Sequence, residues 1–577
     1  MTPRAVIVIP TLDIETAAEV GARAQELAGV PTAVVIVGDH ERRGGTIPAN
    51  AGYRAALDLG AEYIVYYNDD AVIDQDGWLA RMIDVLDSNP RYGIACPAGN
   101  CRGGIQGSAK PGASQCVVEM DEPLAWFVAV LKREMLDQIG LFNDELAHYA
   151  ADSDLTRRAQ ECGWISVFVR DVWVDHHPAK QNEFWEADRA TYKRTWGKHG
   201  KPPTVQVFSN TLGREELRAA ERAFASRWLG KGAESDTFEA EFADHLGVDG
   251  NVLLTDCCTS AIYIALRALE IGEGDEVIIP TVHFVAIANA VIDQGAVPVF
   301  ADVDERTLNL LPSEIVRLQT EKTRAVFLNH YGGHPAMVNE IWEACRAPLP
   351  RILEDAANAV ASTYHGAACG TLGDAGAWSF DAMKELVMID GGALFVPNDN
   401  VYDRAKATRY LGMKPRTTSG VEAQRIGQGK WWEYDLAITS GRFISNDVHA
   451  AIGRVQLKRL PGFIAARRGV WDTYNTELEN VGDLVLPPVP LDGCTSSYYL
   501  YWVQTDRRDE LAAHLSKRGI YTTFRYYPLH QVKYYGSDAV LPNAERVAAR
   551  TLNLPIHQNL GGNSLARVID AVKEFYR

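Results

Sequence analysis

The 577-residue chain has no long apolar run and no ordered cysteine pattern, and each absence removes a class of protein. No stretch is long and apolar enough to cross a bilayer. The start, MTPRAVIVIPTLDIE, carries a basic residue and an apolar run. That run is only as long as one strand and ends in acidic residues without a small-residue cleavage site, so no secretion signal is expected and a cytoplasmic location is. Nine cysteines, an odd number, form no CxxC pair and no recurring spacing, which speaks against a disulfide framework or a structural zinc site. Positive charge is also short. A formal net charge of −18 argues against a broad nucleic-acid-binding surface, because such surfaces neutralise phosphates with basic residues. Internal repeats and low-complexity runs are absent as well.

What the chain does contain is a composition ordinary for a soluble globular protein, 47% hydrophobic and 23% charged, over a length that needs several folding units. Its first part alternates short apolar strands (AVIVIP, TAVVIVGD, YIVYYNDD) with helical patterns such as IETAAEVGARAQELAG, the alternation of an α/β unit. The stretch KPPTVQVFSNTLG then marks a boundary near residue 205, giving expected units over 1–203 and 204–577. A second series, NVLLTD, EVIIPT, VPVFADV, RAVFLNH and RILEDA, predicts a second parallel sheet in a large domain over about 210–450. A long helix, the strand YYLYWVQT and a terminal helix predict a smaller α+β domain over about 451–577.

In SFDAMKEL, residues 379–386, Lys384 precedes the apolar IDGGALFV, which reads as a turn into a buried strand. A lysine among apolar elements is either a surface residue or an amine held for chemistry. Upstream, LEDAANA puts Asp355 at the end of the strand pattern RIL. An amine and a carboxylate of these types suit pyridoxal phosphate, where a lysine carries the aldehyde and a carboxylate keeps the pyridine nitrogen protonated. The segment LLTDCCTSAIYIAL places Thr259 and Ser260 between a strand and a helix. Free backbone N–H groups bind phosphate there, although the same pattern also serves as a plain helix cap.

Residues from about 210 to 577 resemble the DegT/DnrJ/EryC1/StrS family of sugar aminotransferases, which are fold-type I pyridoxal phosphate enzymes. The matching stretches include RWLGKGAESDTFEAEFADHLGV, TDCCTSAIYIALRAL, EGDEVIIPTVHFVAIANAV, LEDAANAV, GDAGAWSFDAMKEL, DGGAL, HAAIGRVQLKRL and LPIHQNL. The resemblance implies that Lys384 is the Schiff-base lysine and Asp355 the partner of the pyridine nitrogen. By the same resemblance Phe284 stacks on the ring, and Ser379 joins Thr259 and Ser260 as a phosphate ligand. Asn358 stands where the family often has His or Gln, implying a shorter hydrogen-bonding reach. Cys257, Cys258 and Thr259 replace the common Ser-Gly-Thr, implying a slightly remodelled cradle. Arg442 falls near an asparagine that in the family reaches the neighbouring subunit's phosphate, which implies a shared site and at least a homodimer. Some relatives replace the lysine by histidine and dehydrate their substrate, so Lys384 favours transamination.

In the first unit, YIVYYNDD ends in Asn68, Asp69 and Asp70. Adjacent carboxylates at a strand end suggest a divalent cation, and equally a turn-forming acidic pair. Farther on, Asp152 precedes a helix and His176 follows a strand; taken singly these read as a helix cap and a surface histidine. Over about residues 4–200 the pieces together resemble glycosyltransferase family 2, the inverting GT-A nucleotide-diphospho-sugar enzymes. The segment KREMLDQIGLFNDE carries part of that resemblance. It implies Asp70 and His176 as ligands of a divalent metal, Mg or Mn, and Asp152 as the general base toward a glycosyl acceptor. Pro10, Asp39, Asn68 and Asp69 are implied contacts to a nucleotide sugar. Two departures stand out: Ala151-Asp152 replaces the usual acidic pair, and VGDHERRGG replaces the early Asp-x-Gly-Ser motif.

The expected function is therefore a two-headed enzyme. The second unit would move an amino group, with glutamate as donor, to a keto-sugar carried on a nucleotide, and the first would transfer a sugar to an acceptor. Two alternatives stay open: a first unit that only binds substrate or a partner, and amination of a non-nucleotide ketone such as a cyclitol.

Overall fold

Valine- and isoleucine-rich runs alternate their side chains between two faces, and in both halves of the chain each face is covered, so both sheets are buried on two sides. The computed structural model describes residues 2–39, 44–99, 117–120, 126–143, 146, 150–176, 187–188, 190–192, 204–414 and 432–577. It divides into two compact units, Met1–Val205 with Asn559–Arg567, and Gln206–Gln558 with Val568–Arg577.

The first unit is built on β1 (Ala5–Thr11), β2 (Thr32–Gly38), β3 (Tyr63–Tyr67), β4 (Ala71–Val72), β5 (Tyr92–Gly99), β6 (Val117–Met120), β7 (Val128–Lys132) and β8 (Ile165–His176). They form one eight-stranded sheet in the order β2-β1-β3-β7-β5-β8-β4, with β6 also on β8. Strand β1 runs parallel to β2 and β3, whereas β7 is antiparallel to both β3 and β5. Ala5, Ile7 and Ile9 enter one core and Val6 and Val8 the other, the period of two written directly in the sequence. The helices Ile14–Glu26 and Thr46–Asp58 follow β1 and β2 and cover the sheet. Asp13 caps the first, accepting from the backbone N–H groups of Glu15 and Thr16.

The second unit contains β9 (Val252–Thr255), β10 (Glu276–Pro280), β11 (Val297–Ala301), β12 (Thr323–Asn329), β13 (Arg351–Asp355), the small hairpin β14 (Thr363–Tyr364) and β15 (Ala367–Ala368), β16 (Ala375–Ser379) and β17 (Gly392–Phe395). The main sheet has seven strands in the order β11-β10-β12-β13-β16-β17-β9. Val277 and Ile279 of β10 face one core and Ile278 the other, and β12 repeats the pattern with Phe327 against Val326 and Leu328.

This sheet is parallel as expected except at β17, which is antiparallel to β16 and to β9. The reason is local. The segment from Phe380 to Gly391 holds no crossover helix, and Phe380 N–H donates to the Gly391 carbonyl at 2.9 Å, closing the loop at its base like a hairpin. The C-terminal part adds the 32-residue helix Asp447–Leu478 and a two-stranded sheet of β18 (Tyr501–Gln504) and β19 (Thr551–Leu554). Among the described residues no helix is long and apolar enough to cross a membrane.

Candidate active site

The loop between β16 and β17 carries Lys384, and the turn that presents it is held by Lys384 N–H on the Asp381 carbonyl and Met383 N–H on Asp381 Oδ1. The lysine is buried, 8% exposed. Its Nζ lies 4.4 Å from the centre of the Tyr499 ring, and no carboxylate of the described residues comes within ion-pair distance. Burial works against the ammonium, but Tyr499, Tyr526, Glu385 and Asp355 hold its pKa above the ordinary lysine range. The amine is thus an interior group and not a surface one.

Strand alternation separates the two acids that end β13. Glu354 turns to one side, where it accepts from the N–H groups of Gly370, Leu372 and Gly373 and pairs with His330 Nε2 at 3.0 Å. It is a structural tie. Asp355 turns to the other side. Its Oδ1 accepts from Ala357 N–H at 2.8 Å, and its Oδ2 stands 3.3 Å from His283 Nε2. His283 is a site residue that sequence reasoning passed over. It lies just after β10 and beside Phe284, whose carbonyl meets its Nδ1 at 3.1 Å.

The helix Cys258–Ala268 begins three residues after β9, with Cys257 at its N-cap and no side-chain hydrogen bond capping its first turn. Its first N–H groups and the positive end of its dipole are therefore available to an anion. Thr259 and buried Ser260 lie in that turn, with Ser260 Oγ 3.4 Å from Cys257 Sγ. Burial pushes the Cys258 thiol well up, so no thiolate opposes an anion there. Gly392 backs the turn: a Cβ on it would sit 2.4 Å from the Cys258 nitrogen. Ser379 ends β16, and its Oγ accepts from Asp381 N–H at 3.5 Å. Asn358 is buried, Phe284 is 51% exposed beside Tyr526, and Arg442 is exposed with its backbone bridged to Tyr410.

These groups meet the demands of pyridoxal phosphate: an amine at the site's floor, a carboxylate at a strand end, a stacking face and an open helix N-terminus. Further aromatic and cationic groups come from distant segments. Phe208 stacks on Tyr499 with ring centres 5.5 Å apart, and the Arg525 guanidinium lies 4.4 Å from the Phe208 ring centre. Behind Lys384, Glu385 is buried and its carboxyl is pushed up to about 7 by burial, against the pull of buried Arg467.

The first unit gathers its own predicted residues at the ends of its strands. Pro10 pairs with Val37 in the β1–β2 register, and Asp39 N–H donates to the Thr11 carbonyl while Asp39 Oδ2 accepts from Gly44 N–H. Thr11 Oγ1 donates to Asp69 Oδ2 at 2.5 Å. Asp70 Oδ1 meets His176 Nε2 at 3.2 Å, with Asn68 Nδ2 3.5 Å from the same nitrogen and the Phe127 ring stacked on the imidazole. The expected metal pair is thus together. Among the described residues, however, no group of three or more His, Cys, Asp or Glu side chains is arranged to hold a metal ion. Asp152 lies apart from this pair in sequence, in the first turn of the helix Ala151–Glu161. It accepts from Trp126 N–H, and burial raises its carboxyl above the usual range.

Comparison with known proteins matches residues 210–573 to the model of the DegT/DnrJ/EryC1/StrS aminotransferase family. A dTDP-4-dehydro-2,3,6-trideoxy-D-glucose 4-aminotransferase from Saccharopolyspora spinosa is 44% identical over 369 residues, covering 63% of this chain and 95% of that protein. A GDP-perosamine synthase from Escherichia coli O157:H7 is 29% identical, covering 64% of this chain and 98% of its own. Among solved structures, the aminotransferase TlmJ from Streptoalloteichus hindustanus superposes with a TM-score of 0.61 at 44% identity, over 64% of this chain and 98% of that one. S. venezuelae DesV, solved with a ketimine intermediate, gives a TM-score of 0.57 at 31% identity, over 63% and 94%.

Proposed function

The chain belongs, through residues 210–573, to the DegT/DnrJ/EryC1/StrS aminotransferase family as a pyridoxal-phosphate-dependent sugar aminotransferase, and from that premise we propose that it aminates a nucleotide-linked 4-keto-sugar with glutamate as donor. The buried, turn-held Lys384 facing Tyr499 carries this reading. The relatives named for dTDP- and GDP-linked sugars support a nucleotide-bound ketone.

When bound, pyridoxal phosphate supplies an aldehyde that carries the amino group and a ring that accepts the electron pair of the carbon losing its proton. Lys384 Nζ would hold that aldehyde and would carry a proton to and from the reacting carbon. Asp355 would keep a proton on the pyridine nitrogen, its carboxylate fixed by His283 Nε2 at Oδ2 and by Ala357 N–H at Oδ1. Thr259, Ser260, Ser379 and the N–H groups of the helix Cys258–Ala268 would hold the phosphate, Phe284 would stack on the ring and Asn358 would offer it a hydrogen bond. Arg442 is exposed, as are Tyr434, Leu436 and Ile438 just before it. A second copy that covers this segment and receives Arg442 at its phosphate makes the enzyme a homodimer.

For the first unit the proposed activity is glycosyl transfer from a nucleotide sugar. It is supported by a parallel β2-β1-β3 edge whose strand ends carry Thr11, Asp39, Asn68 and Asp69. Asp70 and His176 would hold a divalent cation together with diphosphate oxygens and water, offsetting charge on the leaving group, and Asp152 would deprotonate the acceptor hydroxyl. The pairing of Asp70 with His176 and the lack of a third described ligand favour a second reading, a non-catalytic binding unit.

The experiment supplies purified full-length protein with a dTDP- or GDP-linked 4-keto-sugar and glutamate. Formation of amino-sugar and 2-oxoglutarate in equal amounts is expected. Release of 2-oxoglutarate only with a free cyclitol ketone would sink the nucleotide assignment.

A further inference from the structure

In the second unit a cation that lies on an aromatic ring generally also has an acid. Lys406 lies over Tyr402 and pairs with Asp403, Arg459 over Phe463 with Glu216, and Arg507 over Phe575 with Glu510. Lys384 has the ring without the acid. Its Nζ lies 4.4 Å from the centre of the Tyr499 ring, and among the described residues it forms no ion pair and no hydrogen bond. Glu385 on its own loop, Asp355 at the end of β13, Cys258 at the helix start and Tyr526 act on this amine electrostatically without pairing with it.

The ring is fixed by groups other than its hydroxyl. Tyr499 N–H donates to the Gly332 carbonyl at 3.0 Å, its carbonyl accepts from Arg467 Nη1 at 3.3 Å, and its ring stacks on Phe208 with centres 5.5 Å apart. The residue is fully buried, and its hydroxyl bonds to no described group. What Tyr499 presents to Lys384 is therefore a rigid π face.

We propose that the Tyr499 ring is the seat of the Lys384 amine whenever that amine is not bonded to the cofactor, a positioning residue that keeps Nζ beside the reacting carbon in either protonation state. The assignment deepens the aminotransferase reading and rests on it. In each half of the reaction Nζ takes one proton from one carbon and delivers it to another, so it enters the ammonium form and must leave it again. A carboxylate about 4 Å away would favour the ammonium by a factor of about a thousand at the effective dielectric of a protein, and return of the proton would be slowed accordingly. A ring face favours it only about five- to thirtyfold, enough to seat the amine and not enough to trap its proton.

The test compares Tyr499→Leu, which removes the ring face, with Tyr499→Phe, which keeps it. In cofactor-free full-length protein, acylation of Lys384 by acetic anhydride is followed by peptide mass spectrometry across pH; access changes the height of that profile, and the proton affinity of Nζ its midpoint. Tyr499→Leu should move the midpoint to lower pH, a rise of about five- to thirtyfold in the free-amine fraction at a fixed pH. In the cofactor-loaded enzyme it should lower kcat about ten- to a hundredfold, with the KM for glutamate and for the keto-sugar nucleotide within about threefold of wild type. Tyr499→Phe should bring both readouts back to within about threefold of wild type. If Tyr499→Leu does not give the wild-type circular dichroism, Phe208→Leu, which removes only the stacking partner of the ring, carries the test, with effects of about three- to tenfold in the same directions. An unchanged midpoint or kcat in the variant without the ring, or a Tyr499→Phe that loses as much as Tyr499→Leu, overturns the seat. A wild-type protein that aminates no keto-sugar overturns the aminotransferase reading, and the acylation midpoints still decide whether Tyr499 holds the amine.

Discussion

The two units solve one topological problem to different degrees. Each brings polar residues to the ends of adjacent strands, but the second unit leaves Lys384 with no carboxylate of the described residues in ion-pair range and its helix start uncapped by a side chain, whereas in the first the polar side chains turn toward each other. Asp355, Ser379, the helix start at Cys258 and Lys384 come from β13, β16, the end of β9 and the loop before β17. Their register is set by main-chain pairing across a sheet buried on both faces. In the first unit Thr11 engages Asp69 and Asp70 engages His176. A first-unit side chain engaged by its neighbour must be released before it can bind a ligand, whereas the open N–H groups of a helix start need not be.

The sharpest way to break this contrast is Lys384→Ala, which should lower amination by about a thousandfold or more while leaving the fold intact; product assays beside circular dichroism measure both. Next in size is Asp70→Ala in the first unit. If that unit transfers sugar, the activity should fall by about a hundredfold or more, whereas amination by the same protein stays within about twofold. A parallel fall in both activities would mean that the sites are not independent. Asp355→Asn should slow amination by about a hundredfold, because the amide cannot hold a proton on the pyridine nitrogen.

Smaller effects sharpen the account of the cradle and the interior. Thr259→Ala and Ser260→Ala should each weaken cofactor binding by about tenfold, read from equilibrium dialysis at fixed phosphate. His557 is buried, and burial holds its imidazole down at about 3, with nearby Arg467 acting in the same direction. The folded chain therefore keeps this ring neutral while the unfolded chain takes up a proton below its ordinary value near 6.5. Its stabilising contribution is present above that value and is lost as the pH falls toward 3. Urea midpoints should drop more steeply between pH 7 and pH 4.5 for wild type than for His557→Gln, and equal slopes would contradict this.

What the sequence disclosed follows from how far apart the cooperating residues are. Lys384, Asp355 and the Thr259-Ser260 pair stand on short motifs where a strand stops, so residue type and pattern marked them as candidates, while their expected roles came from the family resemblance of the motifs around them. The direction of β17 was hidden, because alternation reports which face a residue takes and not which way its strand runs. Phe208, Tyr499 and Arg525 meet only after three distant segments fold together, and an aromatic in such a segment looks like any core residue. His283 was hidden differently: it is adjacent to Phe284, and only the fold shows that it faces Asp355.

The central claim is that Lys384 is the group to which pyridoxal phosphate is joined. Borohydride reduction of the yellow, cofactor-loaded protein followed by peptide mass spectrometry tests it in one step. The account predicts a reduced pyridoxyl group on the peptide bearing Lys384 and no such group in Lys384→Ala. An adduct on another lysine, or none on a protein that still aminates its substrate, would contradict it.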